Sequence, residues 1–455
     1  MNAIPVTQTH PYVQLANWIF RPLEYMHANY QRYGDLFFAR WGLFEWIFIN
    51  HPQALKTMLS QDLGPAISAP GEVNGLLRPV LGENSVILQT GSQHRQRRKL
   101  IMPPFHGERL KVYAELIRQI TLAAMDDLRP GQALQARQLT QKITMRVILQ
   151  AVFGLHEGDR FRRLEQLLAE RLDMVSKPLA STVVFFPLLR RDYGSWSPGA
   201  KIARLSAEID ELLYAEIRER RAAVDAANSD VLSLLIMAQD EAGNGLSDEE
   251  LHDELITLLI AGHETTATAI AWGMHWAHHH PHIRQTIRDE IATAHASDEA
   301  IAMTKLPYLE ATCHEILRIY PVAMLTFPRV VHEPIELLGH AIAPGTLLVG
   351  CIYLLHHRED LYPQPSAFRP ERFLERQYSA FEFVPFGGGA RRCIGYALAM
   401  YELKIILGTL LTHYDFALAS DRPATPERRG VTLGMKNGVE MVFHGQRQRS
   451  APALV

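Results

Sequence analysis

The segment Phe386–Gly395, FGGGARRCIG, constrains this chain most, because it holds a cysteine in a glycine-rich loop. Glycines 387–389 let the backbone turn tightly and direct N–H groups towards the sulfur of Cys393. A thiolate held in this way is a soft anionic ligand that, given an iron porphyrin, favours O–O cleavage. Arg391 is placed to neutralise an acidic group, and Gly395 leaves space where the next helix approaches a flat cofactor.

Other roles for Cys393 are a redox sensor, a zinc ligand or a small buried apolar residue. A zinc site needs several Cys or His residues at short spacing. The chain has 3 cysteines and no C-x-x-C pair, and Cys313 and Cys351 lie far from Cys393 in sequence. The pattern therefore argues against a zinc site, while a haem ligand, a redox sensor and a small buried residue stay open until the other motifs are considered.

Composition describes an ordinary globular protein of 455 residues, with 47% hydrophobic and 21% charged residues. A net charge of −3 argues against nucleic acid as a partner. The few cysteines suit the reducing cytoplasm. Met1–Phe20 resembles neither a signal peptide nor a membrane anchor. Leu255–Ala277 is interrupted by His263, Glu264 and His275, which favours a core helix over a membrane span.

Helical periodicity dominates, and short strands cluster towards both ends of the chain. Gly64–Leu81 is predicted to be a long loop, Lys177–Trp196 breaks the helical pattern, and Gly430–Phe443 is predicted to be a hairpin turning at Lys436–Gly438. We expect a mostly α, α+β fold in a single domain, 1–455, with strands from both termini in one small sheet. The predicted helices are Pro22–Tyr33, His51–Ser60, Gly91–Leu100, Gly107–Asp127, Ala136–Phe153, Asp159–Val175, Pro198–Asn228, a long helix through Leu255–Ala277 that begins at a Ser247 capping box, and Leu306–Tyr320.

A second motif, Ala261-Gly262-His263-Glu264-Thr265, lies within the apolar helix. The small residues 261 and 262 would let a ligand approach the helix backbone. The Thr265 hydroxyl can bond back to a carbonyl one turn earlier. Glu264 supplies an acid beside that alcohol, although a surface ion pair and core packing are the plainer roles for these two residues. His263 is predicted to pack between helices.

Together these motifs resemble the F-x-x-G-x-R-x-C-x-G and A-G-x-E/D-T signatures of the cytochrome P450 family, and the resemblance covers nearly the whole chain. It implies the cytochrome P450 fold, a haem b cofactor and Cys393 as the iron ligand. It implies that Thr265 holds dioxygen and orders water, while Glu264 relays protons from solvent.

The resemblance also implies roles for charged residues outside these two motifs. Glu315 and Arg318 would join Arg372 of the Pro370–Phe373 motif in a buried structural network. On the basic run His94–Lys99, the outward side with Arg95, Arg97 and Lys99 is predicted to dock an acidic electron carrier. The implied cofactor contacts are His94, Arg98, Arg329 and Arg391, which would bind the haem propionates, together with Cys393, Phe386, Gly389 and Gly395.

Substrate contacts follow from position in the family. Gly64–Leu88, the Val183–Phe186 stretch and several apolar residues match substrate-facing segments, and core packing is the alternative for each residue taken singly. The mostly apolar character predicts a lipophilic substrate such as a terpenoid, steroid or fatty acid. The single residues are Leu259, Ala261, Val322, Met324, Leu325, Val431 and Leu433.

The chain is therefore predicted to be a monomeric, cytoplasmic haem-thiolate monooxygenase that inserts one oxygen atom from O2 into a C–H bond. The sequence has no flavin or iron–sulfur pattern, so electrons would come from a separate ferredoxin or flavodoxin with its NAD(P)H-dependent reductase. The alternatives are a peroxide-driven peroxygenase, and a haem-binding sensor or electron carrier without turnover.

Overall fold

A computed structural model of the chain describes residues 3–41, 44–156, 158–176, 193–194, 197–223, 230–297 and 299–447. The predicted Val183–Phe186 substrate stretch lies outside the described residues. Most of the predicted break at Lys177–Trp196 lies outside them too.

Helices make up most of the described chain. Short 3₁₀ helices add Glu72–Leu77, Pro103–Phe105 and Gly389–Arg391. The α-helices are α1 Pro11–Phe20, α2 Pro22–Tyr33, α3 Pro52–Ser60, α4 Arg78–Leu81, α5 Gly91–Ile101, α6 Arg109–Ala123, α7 Ala136–Ala151, α8 Asp159–Ser176, α9 Pro198–Ala222, α10 Val231–Met237, α11 Asp248–His279, α12 Pro281–Thr293, α13 Ala300–Met303, α14 Pro307–Ile319, α15 Ile352–His356, α16 Arg372–Glu375 and α17 Tyr396–His413.

The strands form small separate sheets. Five strands pair in the order β1-β2-β8-β5-β3, three in the order β4-β12-β9, and β6 with β7 and β10 with β11 form two-stranded sheets. The strands are β1 Leu36–Trp41, β2 Phe44–Ile49, β3 Ile67–Ser68, β4 Ala133–Gln135, β5 Arg329–Val331, β6 Ile335–Leu337, β7 His340–Ile342, β8 Leu347–Gly350, β9 Tyr414–Leu418, β10 Pro426–Arg429, β11 Thr432–Met435 and β12 Glu440–Gln446.

Helix α11 is the 32-residue centre of the fold. It begins at the predicted capping box, in which the Ser247 hydroxyl accepts from the Glu250 N–H and the Glu250 carboxylate accepts from the Ser247 N–H. Most of its length is buried against α7, α9 and α17. This burial explains why its apolar residues surround the helix instead of forming one stripe.

The mostly α, α+β fold class is confirmed, with differences in detail. Residues 64–81 contain β3, a 3₁₀ helix and α4 in place of one loop. The predicted hairpin over Gly430–Phe443 is wrong, because β11 pairs with β10 while β12 pairs with β4 and β9. The predicted single sheet also differs: the N-terminal strands pair with β5 and β8, whereas the last strands form other sheets.

None of the helices in the described ranges is long and apolar enough to cross a membrane.

Candidate functional site

The three cysteines have different surroundings. Cys313 and Cys351 are completely buried, and burial raises the pKa of the Cys351 thiol to about 12. The Cys393 side chain is instead accessible, although protein surrounds it closely enough for burial to raise the pKa of its thiol too. An accessible sulfur within the protein body is what a ligand-binding thiol requires.

The loop around Cys393 is fixed by its backbone. The Cys393 N–H donates to the Phe386 carbonyl at 3.0 Å, and the N–H of Gly395 reaches the sulfur. This contact differs from the prediction that glycines 387–389 direct their N–H groups at Cys393. A Cβ on Gly395 would meet no protein atom within 4 Å, so the space beside the start of α17 is open.

Asp62 explains why the loop needs glycine at position 389. Gly389 has φ +62, and a Cβ there would collide with the Asp62 carboxylate. That carboxylate accepts from the Ala390 N–H at 3.0 Å and from Arg329 Nε at 2.8 Å, and Arg329 Nη2 also donates to the Gly388 carbonyl at 2.9 Å. Asp62 belongs to no motif, so this role was not predicted from the sequence.

These bonds change the interpretation of Arg329. The sequence predicted a propionate-binding arginine, but Nε and Nη2 are bonded to Asp62 and the loop, and Nη1 donates to the Phe327 carbonyl at 2.6 Å. Arg329 is completely buried. Its contacts therefore hold the cysteine loop and leave little donor capacity for a propionate.

His94, Arg98 and Arg391 gather beside Cys393. Burial, followed by the charge of Arg391, lowers the pKa of His94 to about 4. Burial and then Arg329 lower the pKa of Arg391 to about 10, and burial also lowers the pKa of Arg98. Positive charge is therefore concentrated at a poorly solvated position, where a bound anion would stabilise it.

The donor chemistry of this cluster fits haem carboxylates. Arg391 donates to the carbonyls of Ala69 and Gln89 at 2.7 and 2.6 Å and also to that of Val86. In the described part of the chain, neither Arg391 nor Arg98 forms an ion pair with a carboxylate. Two propionates would supply the missing anions beside the accessible Cys393 sulfur, so these residues fit a haem.

The turn of α11 at Ala261 and Gly262 has small side chains, and it is called the open turn below. The Thr265 hydroxyl donates to the carbonyl of Ala261 at 2.5 Å, which is the predicted back-bond one turn earlier. Ala261 is exposed within a helix that is otherwise largely buried. A Cβ on Gly262 would lie 3.0 Å from Ile148, so this glycine also allows α7 to pack closely.

Two side chains of α7 hold the Glu264 carboxylate, which is 15% exposed. Its carboxylate accepts from Arg137 Nη2 at 2.6 Å and from Gln141 Nε2 at 2.8 Å. The neighbouring His263 is buried and lies 2.8 Å from the Thr144 hydroxyl, and burial lowers its pKa to about 4. His263 is therefore a neutral packing residue at neutral pH, whereas Glu264 is an ion-paired carboxylate one residue before Thr265.

Charged side chains of α14 bond to residues of the segment that leads to the cysteine loop. Arg318 donates to both oxygens of Glu315 at 2.7 and 2.8 Å, and Arg372 Nε lies 3.2 Å from the same carboxylate. All three side chains are buried. Arg318 also donates to the carbonyl of His356, whose Nε2 accepts from the Val384 N–H at 3.0 Å.

The predicted substrate residues separate into two groups. Ala261, Leu325 and Val431 are at least partly exposed. Leu259, Met324 and Leu433 differ from the prediction, because their side chains are buried in hydrophobic core clusters. Val322 is also buried, and its carbonyl accepts from the Leu433 N–H at 2.8 Å, so both residues position the exposed tip at Val431.

The outward side of α5 differs from the prediction as well. Arg97 forms ion pairs with Glu250 and Glu254 of α11, and only 11% of its side chain is exposed. Lys99 is exposed and pairs with Glu241 at 3.0 Å, while Arg95 is exposed. Helical spacing separated the two sides of α5 but could not reveal the carboxylates that α11 brings to Arg97.

Comparisons with known proteins identify the family. Residues 4–440 match the family model described as cytochrome P450. A Mycobacterium tuberculosis protein named cytochrome P450 135B1 is 32% identical over 96% of this chain and 91% of its own length. Cytochrome P450 137 of the same organism is 35% identical over 83% of this chain and 76% of its own. Among solved structures, retinoic acid bound cyanobacterial CYP120A1 has a TM-score of 0.85, at 23% identity, over 98% of this chain and 99% of that one.

Proposed function

This chain belongs to the cytochrome P450 family and is a haem-thiolate monooxygenase, and we propose that it hydroxylates or epoxidises a lipophilic small molecule. The observation that carries the proposal is the accessible Cys393 sulfur beside Arg98 and Arg391, which form no ion pair with a carboxylate of the described residues. The partly exposed Ala261, Leu325 and Val431 offer apolar contacts and no fixed charge to a terpenoid, steroid or fatty acid. Retinoic acid, which is bound to the cyanobacterial CYP120A1, is likewise largely apolar.

The bound group is proposed to be haem b within a single domain. A haem with a thiolate ligand would activate dioxygen, so that, with two electrons from the carrier and two protons, one oxygen atom enters a C–H bond and the other leaves as water. Cys393 would supply the thiolate, whose charge the Gly395 N–H stabilises by hydrogen bonding. Arg98 and the neutral His94 would donate to the propionates, and the positive charge of Arg391, whose N–H groups already bond to backbone carbonyls, would attract them.

Glu264 and Thr265 are proposed to deliver protons. The Glu264 carboxylate takes a proton from solvent once it leaves Arg137 and Gln141, and it passes the proton towards the Thr265 hydroxyl. Thr265 can donate its own hydroxyl proton only when it releases the Ala261 carbonyl. Both steps exchange existing hydrogen bonds, so side-chain rotation would accompany proton transfer.

The electron donor is proposed to be a separate acidic protein, such as a ferredoxin or flavodoxin with its reductase. Arg392 is exposed next to Cys393, and its guanidinium lies 4.2 Å from the centre of the Tyr396 ring. Arg95 adds a further exposed cation on α5. This surface replaces the one centred on Arg97, which already pairs with Glu250.

A reduced carbon monoxide difference spectrum, followed by turnover with dioxygen and surrogate ferredoxins, tests the proposal. The expected result is a thiolate-type spectrum and product formation that depends on both electrons and dioxygen. Product formed only with added peroxide would indicate a peroxygenase. A thiolate spectrum without any product across a panel of lipophilic compounds would indicate a sensor or carrier.

A further inference from the structure

A polar cluster lies at the beginning of α11, away from Glu264 and Thr265. The His252 ring is placed between two carboxylates, with Nε2 3.0 Å from Asp210 of α9 and Nδ1 3.1 Å from Asp253 of α11. The other oxygen of Asp253 accepts from the Asn84 N–H at 2.8 Å and from Asn84 Nδ2 at 3.0 Å. One imidazole therefore connects α9, α11 and the segment after α4.

The segment 82–86 is shaped for this contact. Gly82 has φ +83, and a Cβ there would collide with the Asp253 carboxylate. One turn along α11, the Thr257 hydroxyl donates to the Ser85 hydroxyl at 2.8 Å. The segment then passes to Val86, whose carbonyl accepts from Arg391 at 3.0 Å. It thus runs from the His252 cluster to the loop that carries Cys393.

Further groups face the imidazole from the helices around it. Tyr214 of α9 stacks on the His252 ring, with ring centres 4.6 Å apart and planes inclined by 6°. Asp248 and Glu249 add negative charge on α11. Arg171 of α8 is electrostatically coupled to Asp210 and donates to the Val80 carbonyl at 3.3 Å. Arg221 of α9 in turn pairs with Asp248 at 2.6 Å, so cations face two of these carboxylates, Asp210 and Asp248.

We propose that the Asp210–His252–Asp253 bridge is a latch that positions the segment 82–86 and controls how fast lipophilic ligands reach the apolar contacts at Ala261, Leu325 and Val431. This role rests on the proposed function, because it concerns the substrate of the same site. His252 is a positioning residue that acts through Asp253 and Asn84. When the imidazole loses its proton, one of its two nitrogens can no longer donate, so one carboxylate is released.

The latch responds to pH in a defined direction. The hydrogen bonds to Asp210 and Asp253 outweigh the effect of burial and raise the pKa of His252 from 6.5 to about 9. A raised pKa in the folded state means that the bridge is fully formed below the unfolded value and is lost as pH rises through about 9. The segment 82–86 is therefore held at neutral pH and released in alkali.

The experiment measures the association rate of a lipophilic ligand, a fatty acid, by stopped-flow haem absorbance across alkaline pH. For the parent protein, the rate should rise as pH passes about 9. Asp210→Asn should raise the neutral-pH rate by about tenfold, the change equivalent to one pKa unit, and move the transition to lower pH. His252→Gln should remove the transition. Asp127→Asn, which breaks an exposed pair with Lys142, is the matched control and should keep the parent profile.

Amide hydrogen exchange of residues 83–88 at neutral pH provides a second measurement that needs no turnover. Faster exchange in Asp210→Asn and His252→Gln than in Asp127→Asn is expected. Parent-like exchange and ligand kinetics in both latch variants would overturn the proposal. Failure of the thiolate spectrum would contradict the proposed function instead, and the exchange comparison would still test the latch.

Discussion

The cysteine loop and the open turn of α11 use polar side chains in opposite ways. Around Cys393, the buried Arg329 bonds to Asp62 and to backbone carbonyls, and the buried Arg391 makes several bonds to backbone carbonyls. At the turn of α11, Thr265 has one bond to a carbonyl, and Glu264 has an ion pair that is 15% exposed on the carboxylate side. The first region fixes the position of the Cys393 sulfur, whereas the hydrogen bonds of Thr265 and Glu264 in the second can be exchanged for others.

This difference follows from what each region must do. A metal ligand needs constant geometry, and buried charged hydrogen bonds supply it because breaking one strands a poorly solvated charge. A proton donor must change partners during each cycle, which requires contacts of modest strength near water. Variants in the cysteine region should therefore affect cofactor binding or stability, and variants in α11 should affect coupling.

The largest effect is expected from Cys393→Ser, which removes the thiolate and should abolish the thiolate-type spectrum of the reduced carbon monoxide complex. Cys313→Ala and Cys351→Ala are matched controls, since both thiols are completely buried. They should cost some packing but keep the spectrum. A thiolate spectrum that persists in Cys393→Ser would assign the iron ligand to another cysteine.

The second prediction tests how much the buried network of Glu315, Arg318 and Arg372 stabilises the fold. Glu315→Gln strands two buried guanidinium groups, Arg318 and Arg372, and should lower the free energy of unfolding by about 3–5 kcal/mol. On α16, Glu375→Gln alters an ion pair with Arg369 in which the two side chains are 55% and 42% exposed, so the cost should stay below about 1 kcal/mol. Denaturant unfolding of both variants measures the difference. Equal losses would mean that the Glu315 network adds no special stability.

Sequence patterns predicted helices well where apolar periodicity is clear, as at α2 and α7, and where a capping box marks the start, as at Ser247 of α11. They missed α1, whose exposed and buried apolar residues mix, and the pairing of β12, which depends on β4 some 300 residues away. Ion pairs between residues far apart in the sequence were not predicted either. Arg329 and Asp62 are 267 positions apart and Arg137 and Glu264 are 127 apart, so only the folded chain brings them together.

The third prediction concerns the exchangeable bonds. Thr265→Ala removes the hydroxyl while leaving the cations beside Cys393 intact, so haem and substrate binding should persist. Product formation should fall by about 10²-fold while electrons are still consumed, because proton delivery loses its donor. Hydrogen peroxide released per NAD(P)H oxidised measures this uncoupling. Thr265→Ser keeps the hydroxyl and should remain coupled, and parent-like coupling in Thr265→Ala would leave Thr265 only a packing role.

The smallest effect is expected on the outer surface of the cysteine region, where Arg392 is exposed beside the fixed loop. Arg392→Glu should slow the first electron transfer from an acidic carrier by a few-fold and weaken its salt dependence, because attraction is screened beyond a Debye length of about 8 Å. Arg162→Glu reverses a cation on α8 that is 69% exposed, and it should leave the rate unchanged. Stopped-flow reduction at two ionic strengths separates the two variants. Substrate-induced spectral shifts should be the same in both, since neither residue lies among the apolar contacts. Equal reduction rates would place carrier docking elsewhere, whereas loss of haem in Arg392→Glu would mean that the surface and the ligand loop are not independent.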